Sequence, residues 1–442
     1  MASKKEQAAQ AALLKDPNYT PPMNEAIPLG FQHVCAMLVG NIAVPFIIGG
    51  ALGLELADKI FLVQAALLMA GIATLIQTIG IGPVGARLPI MQGTSFAFIG
   101  PLIGIGKGLG MAGIFGAAIL NAVFQIILAF FVNSVKKWIP PLVSGLVVLT
   151  IGASLLALSI KYAGGHPVPK VIGPAFGSFK FIALAALVVA IALFMRAKFP
   201  GTLGAAGIFI AIIIGYLIGL AMGLVNTASI AKAAWFSIPE PLHYGIEFSG
   251  AMVLVMIIMA FVTTIETIGD ISGVTVGGAD REPTTDELRG GILGDAFGTL
   301  IAALGNAMPN TSYSQNVGVI SYTGVMSRHV VTIGAVILII SGLVPKFGAI
   351  INAIPNPVFG GAGIVMFGLI VAAGIRLIAQ QKITRRNMII IAVSLATGLG
   401  IFAVPEFTQH MNATVKILVA TPIIPVAVIA FVLNAVMPED GS

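Results

Sequence analysis

Hydrophobic and polar positions along the 442-residue chain alternate in long blocks, with apolar stretches recurring from Leu29 to Met437 between short polar or charged links. A helix needs about 20 mostly apolar residues to cross a bilayer, so blocks of this length are read as transmembrane helices. Candidate spans fall near 30–52, 59–82, 88–104, 110–134, 139–161, 179–195, 202–225, 247–272, 289–305, 310–323, 328–352, 355–377, 386–404 and 413–436, about fourteen in all. The short alternating segments of an outer-membrane barrel are absent. The expected fold class is an all-α polytopic membrane protein. Two segments depart from the pattern: the third, RLPIMQGTSFAFIGPLIG, and the tenth, PNTSYSQNVGVISYTG, are short and mix Pro, Gly and polar side chains.

These two segments resemble each other. Thr94-Ser95-Phe96 lines up with Thr311-Ser312-Tyr313, each a few residues after a proline (Pro89, Pro309), and each is followed at similar distance by a proline-bearing helix start, Pro140-Pro141 and Pro355. Two halves of seven spans have opposite orientations because seven is odd, which is the inverted-repeat plan of secondary transporters. Irregular backbone at membrane depth is tolerated only where it is buried in protein or lines a cavity. Thr, Ser and aromatic residues favour extended structure, so two short crossed β-strands are expected in segments 3 and 10. The half-helix after each strand would leave N–H groups facing a ligand. Small-residue helix packing would explain one such segment; a matched pair points to a binding site.

Charge placement supports the topology. With the N-terminus inside, the tail and cytoplasmic loops hold Arg87, Arg196, Arg281, Arg289, Arg328, Arg376, Arg385 and Arg386, together with Lys4, Lys5, Lys15, Lys136, Lys137, Lys198 and Lys382. The remaining lysines fall outside, an asymmetry of the sign expected for the positive-inside rule. Both termini are thus placed in the cytoplasm, with 1–28 a polar tail lacking the apolar core of a signal peptide. Composition agrees: 57% of residues are hydrophobic and 9% charged. The net charge of +6 follows topology and calls for no nucleic acid. The lone Cys35 excludes an intramolecular disulfide and argues against a thiolate metal site. The loop GGADREPTTDELRGG reads as solvated, without a motif.

Few ionisable residues lie inside expected spans: His33, Glu266, Asp270 and Asp295 are the clearest. A carboxylate at the bilayer centre costs roughly 3 kcal/mol, so such groups tend to be paired, protonated or functional. Glu266 and Asp270, four apart in FVTTIETIGD, share one helix face, and a carboxyl that takes up and releases a proton suits proton coupling. Glu266 read blandly is a buried hydrogen-bonding strut, and Asp270 lies nearer the span end. Asp295 in RGGILGDAFG is either a proton-relay member or an anchor for the neighbouring broken segment. His33 has a bland reading as a satisfied core histidine.

The run Gln315-Asn316-Val317-Gly318-Val319-Ile320-Ser321-Tyr322-Thr323-Gly324 resembles the signature of the nucleobase–ascorbate transporter family: Gln, Glu or Pro, then Asn-x-Gly, four residues, Thr, and Arg, Lys or Gly. FQHVCAMLVGNIAVPF, QGTSFAFIGP, TTIETIGD, RGGILGDAFG and TGVMSRHVV extend the resemblance over nearly the whole chain. The resemblance implies fourteen spans in two inverted repeats. A core domain would comprise spans 1–4 and 8–11 (29–135 and 246–354), and a gate domain spans 5–7 and 12–14 (136–226 and 355–437). It implies a homodimer in a cell membrane, no cofactor or metal, and proton-coupled uptake, with sodium as the alternative ion.

Transferred residue by residue, Glu266 would bind the N–H edge of a purine and Gln315 would make a two-point amide contact. Phe96 and Tyr313 would flank the ring, with Ser314 also in the substrate-binding set. The backbone of Phe96 and Ala97 would donate to a substrate carbonyl. Asn316 would brace the site, and Gly318 would let the half-helix start closely packed. Asp295, Asp270 and His33 would support the site or proton coupling. The chemistry suits these roles, because a flat heterocycle with alternating N–H and C=O groups needs aromatic faces, an acceptor-only group and an amide.

Within the family, Gln315 favours a purine over uracil, whose permeases usually carry Glu there. The small Ala97, where many xanthine-selective members are polar, would leave room for the C8 oxygen of uric acid. The expected substrate is therefore xanthine, uric acid or both, and a uracil permease is the runner-up. An anion carrier is disfavoured because an intramembrane glutamate faces the pocket. An intramembrane enzyme would need a nucleophile–base pair or metal cluster, and neither spacing is present. A channel would not accumulate substrate against a gradient.

Overall fold

The computed structural model describes residues 13–132, 140–166, 173–199, 204, 206–419 and 421–438. The chain is mostly helical. Among the described residues eight helices are long and apolar enough to cross a membrane, or nine if one bent pair counts as a single span. Lys4, Lys5, Lys136 and Lys137, with the first twelve residues of the expected tail, lie outside the described residues.

The first half begins with α1 (Met23–Ala51) and α2 (Leu56–Ile79). Strand β1 (Gln92–Thr94), a 3-10 turn (Phe96–Phe98) and α3 (Ile99–Phe130) follow. Gly110 breaks α3 with φ 65 and ψ −161, a conformation open to glycine and costly for other residues. The expected third and fourth spans are thus two helical segments that meet at this break. After α4 (Pro141–Ala163), α5 (Phe179–Lys198) and α6 (Gly207–Ala221) comes the short α7 (Thr227–Lys232). Residues 233–245, which no expected domain part included, are stitched to other elements by backbone bonds such as Ser237 N to Leu343 O and Leu242 N to Leu304 O.

The second half repeats the order of helices around a strand: α8 (Gly250–Ala279), α9 (Thr285–Leu304), β2 (Asn310–Ser312) and α10 (Ser314–Thr323). Then come α11 (Arg328–Gly342), α12 (Pro345–Asn352), α13 (Asn356–Ile378), α14 (Arg385–Ala403), α15 (Ala413–Val419) and α16 (Ile423–Val436).

Three expectations need correction. The eleventh span, 328–352, is two helices, α11 and α12, bent by 85°; Pro345 starts the second one, a position proline favours. The fourteenth, 413–436, is likewise divided into α15 and α16, with Pro422 at the N-cap of the latter. The loop read as free of motifs holds a capping box. Thr284 Oγ1 accepts from Glu287 N at 3.1 Å, and Glu287 Oε2 accepts from Thr284 N at 2.8 Å. Glu287 is also forked to Arg281 at 2.8 and 2.5 Å. Thr284 and Glu287 have the spacing a capping box requires.

Strands β1 and β2 pair antiparallel, with Gln92 opposite Ser312, Gly93 opposite Thr311 and Thr94 opposite Asn310. Their pairing extends beyond the strands through Ser95 N to Pro309 O and Tyr313 N to Met91 O. All six strand residues are buried. Each strand therefore supplies backbone partners that the other needs in a low-dielectric interior.

Candidate functional site

The strand pair is held by matching threonines on two helices. Thr74 on α2 accepts from Gln92 N at 2.9 Å and donates to Ala70 O of its own helix at 2.7 Å. Thr299 on α9 accepts from Asn310 N and donates to Asn310 O, both at 3.0 Å. The first N–H of each strand thus donates to one threonine hydroxyl. A further hold comes from Asn41 on α1, whose side chain accepts from Thr94 N at 2.9 Å while its carbonyl accepts from Thr94 Oγ1 at 2.7 Å.

Asp295 on α9 is the polar centre behind the strands and is fully buried. It accepts from Gln77 Nε2 at 3.1 Å, Gln92 Nε2 at 2.5 Å, Ser312 N at 3.4 Å and Ser312 Oγ at 3.2 Å, and also from Thr267 Oγ1. One carboxylate therefore joins α2, α8, α9 and both strands. Of its two sequence readings, this geometry is that of the anchor.

In front of the strands lies a cavity lined by Thr94, Phe96, Val148, Ile151, Glu266, Thr311, Ser312, Tyr313, Ser314, Gln315 and Ile370. The structure thereby brings together Phe96, Glu266, Tyr313, Ser314 and Gln315 from the expected substrate set. The volume is about 20 Å³, room for roughly one water. Glu266 enters from α8, half-buried, and accepts from Thr311 Oγ1 at 3.4 Å. One turn further, Asp270 accepts from Ser314 Oγ at 2.6 Å. The expected shared face of α8 is therefore directed at β2 and the start of α10.

The Tyr313 ring sits in a slot that two glycines leave open. A Cβ on Gly40 would lie 2.8 Å from its Cε1, and one on Gly93 2.7 Å from its Cε2. Phe96 meets Phe367 of α13 edge-on, with centroids 5.3 Å apart and planes at 87°. The 3-10 turn begins at Phe96 and α10 begins at Ser314, so two helix starts, whose first N–H groups lack intrahelical partners, flank the same cavity.

Other expected residues stand behind this wall. Asn316 donates from Nδ2 to His33 O at 2.9 Å and lies 3.0 Å from His33 Nδ1, which fastens α10 to α1. Ala97 is fully buried and does not line the cavity. Gly318 is exposed, and a Cβ there would meet nothing within 4 Å; close packing is not its role. The close approach comes from the facing helix, where a Cβ on Gly273 would lie 2.8 Å from Val317 Cγ1 and one on Gly277 2.3 Å from Ser321 Oγ.

Sequence reasoning missed Val148 and Ile151 on α4 and Ile370 on α13, which form the opposite cavity wall. Apolar residues in apolar helices carry no distinguishing signal. Thr74 and Thr299 did carry one: both lie in Thr-Leu-Ile followed four residues after the Ile by glycine (Gly80, Gly305).

Comparison with known proteins gives the site its context. A family model described as a permease family matches residues 24–407. A nucleobase transporter of Paenibacillus larvae is 34% identical over 415 residues, covering 93% of this chain and 94% of its own. A uric acid transporter of Escherichia coli is 34% identical over 416 residues, 92% of this chain and 85% of its own. A xanthine permease of the same organism is 33% identical over 435 residues, 95% of this chain and 93% of its own. The fold is shared with the transmembrane domain of a cyanobacterium bicarbonate transporter, at a TM-score of 0.59 and 17% identity over 92% of this chain and 98% of that one. The chain is a multi-pass membrane permease, not an enzyme, and belongs to the nucleobase–ascorbate transporter family.

Proposed function

We propose that this permease carries a purine nucleobase, xanthine or uric acid or both, across the cell membrane in symport with protons. The observation that carries this reading is the cavity that joins a carboxylate (Glu266), a primary amide (Gln315) and two aromatic rings (Phe96, Tyr313) at the starts of two helices. Glu266 accepts from ring N–H groups, Gln315 both donates and accepts at the ring edge, and the rings cover the faces. The similarity to xanthine, uric acid and nucleobase transporters supports the same substrate class.

The chain is read as two inverted seven-span repeats, with a core domain (29–135 and 246–354) moving as an elevator against a gate domain (136–226 and 355–437). Two features support that division: the strands and α8 supply one wall of the cavity, while Val148, Ile151 and Ile370 supply the other. The matched hydroxyl acceptors of Thr74 and Thr299 support the repeat. Both termini lie in the cytoplasm, and the protein works as a homodimer. Glu266 and Asp270, one turn apart on α8 beside β2 and the start of α10, supply the carboxylates for proton coupling, with Asp295 anchoring the strands behind them; sodium is the alternative ion.

A competition panel against labelled xanthine uptake, with unlabelled uric acid, uracil, guanine and ascorbate, tests the substrate class. Xanthine and uric acid should compete and ascorbate should not. Competition by uracil alone would move the assignment to a pyrimidine permease.

A further inference from the structure

A second cavity, of about 580 Å³, lies away from the transport site and is lined by Pro17 and Asn18, by Gly82, Pro83, Gly85, Ala86 and Arg87 of the segment after α2, and by Arg281, Asp286, Glu287, Arg289 and Gly290 around the start of α9. Its charges are not balanced in pairs. Glu287 is committed to Arg281 and to the Thr284 N–H. Asp286 is exposed in the first turn of α9, where a carboxylate is favourable without a cation. Among the described residues, Arg87 and Arg289 have no carboxylate within salt-bridge distance. Arg289 stacks its guanidinium 4.7 Å from the Phe130 ring centroid, and among the described residues its buried Nε has no partner.

The segment that presents Arg87 is built rigidly. Arg87 has φ 56, a conformation that costs a non-glycine residue about 1 kcal/mol or more and persists only where its surroundings impose it. Here Arg87 N donates to Gln77 O at 2.9 Å, Nη2 donates to Gly82 O at 3.0 Å, and Gly85 N donates to Gly290 O at 2.8 Å. Two guanidinium groups that have no carboxylate partner among the described residues offer several donors to one space. Guanidinium forks match the oxygens of phosphate, and a singly charged carboxylate would satisfy one fork and leave the other.

We infer that this cavity binds an anionic phosphate group through Arg87 and Arg289. The ligand is either a lipid headgroup or a soluble phosphate compound. The site goes beyond the transport reading and does not depend on it, because binding can be measured with no nucleobase present.

The test uses the full-length protein in phosphatidylcholine nanodiscs, with Tm followed during titration with inorganic phosphate or adenosine monophosphate against sodium chloride of equal ionic strength. A parallel arm replaces part of the lipid with phosphatidylglycerol. A saturable rise in Tm is expected in one arm, and the responding arm identifies the source. Arg87→Asn, which tolerates the left-handed backbone, and Arg289→Gln should each weaken the response about tenfold or more, while Lys107→Gln should match wild type. Retained nucleobase uptake shows that the variants are folded. Tm unmoved beyond chloride in both arms, or both arginine variants responding as wild type, would overturn the site.

Discussion

The Tyr313 hydroxyl donates to the Thr94 carbonyl at 2.9 Å, so the residue after β2 is tied to the last residue of β1 beside the cavity. The bond fixes the ring that is proposed to cover the substrate, and it joins the two halves of the chain where they meet. Tyr313→Phe keeps the ring and loses the bond, a change of about 1 kcal/mol; uptake should fall by a few-fold. Gly93→Ala should be worse, because its Cβ would lie 2.7 Å from the ring and 2.8 Å from Asn41 Oδ1. At least a tenfold loss of initial xanthine uptake, normalised to protein in the membrane, is expected. Wild-type rates in Gly93→Ala would show that ring placement is unimportant.

Thr74→Val and Thr299→Val each leave a buried strand N–H without its hydroxyl acceptor. Each should destabilise the protein by about 1–3 kcal/mol, read as a lower Tm, and the two shifts should be similar. A large shift for one and none for the other would mean that the strands are not held equivalently.

Asp295→Asn replaces an acceptor that five groups approach with an amide that must turn an NH2 toward some of them. Asp270→Asn disturbs a carboxylate bonded to Ser314. The loss of uptake should therefore be greater at Asp295, by about tenfold or more. Equal losses at both positions would contradict the structural role assigned to Asp295.

Much of this site was legible because polar residues stand out against an apolar chain. The run from Asn310 to Asn316 announced itself, and its likeness to Gln92–Ala97 located the partner strand. Glu266 and Asp270 were visible as carboxylates one turn apart. What escaped notice has the composition of its surroundings. Thr74 and Thr299 share the setting Thr-Leu-Ile but look like small helix residues until their hydroxyls are seen to hold the strands, and Val148, Ile151 and Ile370 differ from lipid-facing residues in position alone. The bend between α11 and α12 was hidden because Leu343-Val344-Pro345 continues an apolar run. Gly318 was misread because a glycine in a signature suggests close approach, whereas the approach is made by Gly273 and Gly277.

The capping box at α9 is predicted to be a pH-sensitive source of stability. Burial pushes the Glu287 carboxyl up, but the bonds from Arg281 and Thr284 outweigh it and hold the group below its ordinary range. A carboxyl depressed in the folded state contributes stability above its unfolded value and loses it as pH falls through the folded value. Tm measured downward from neutral pH should therefore drop through the acid range, below the ordinary value of 4.5. Thr284→Ala should lower Tm by the equivalent of about 1 kcal/mol at neutral pH, while Glu287→Gln, which has no carboxyl to titrate, should flatten that acid drop, with KM for xanthine unchanged in both. An unchanged acid profile in Glu287→Gln would place the sensitivity elsewhere.

The most direct measurement is accumulation of labelled xanthine and uric acid in cells that express either the wild-type chain or Glu266→Gln, with and without a proton uncoupler. The wild type should concentrate at least one of the two purines and lose that capacity when the uncoupler is added. Glu266→Gln, present in the membrane at a normal level, should concentrate neither. Normal accumulation of both purines by Glu266→Gln would contradict the proposed site.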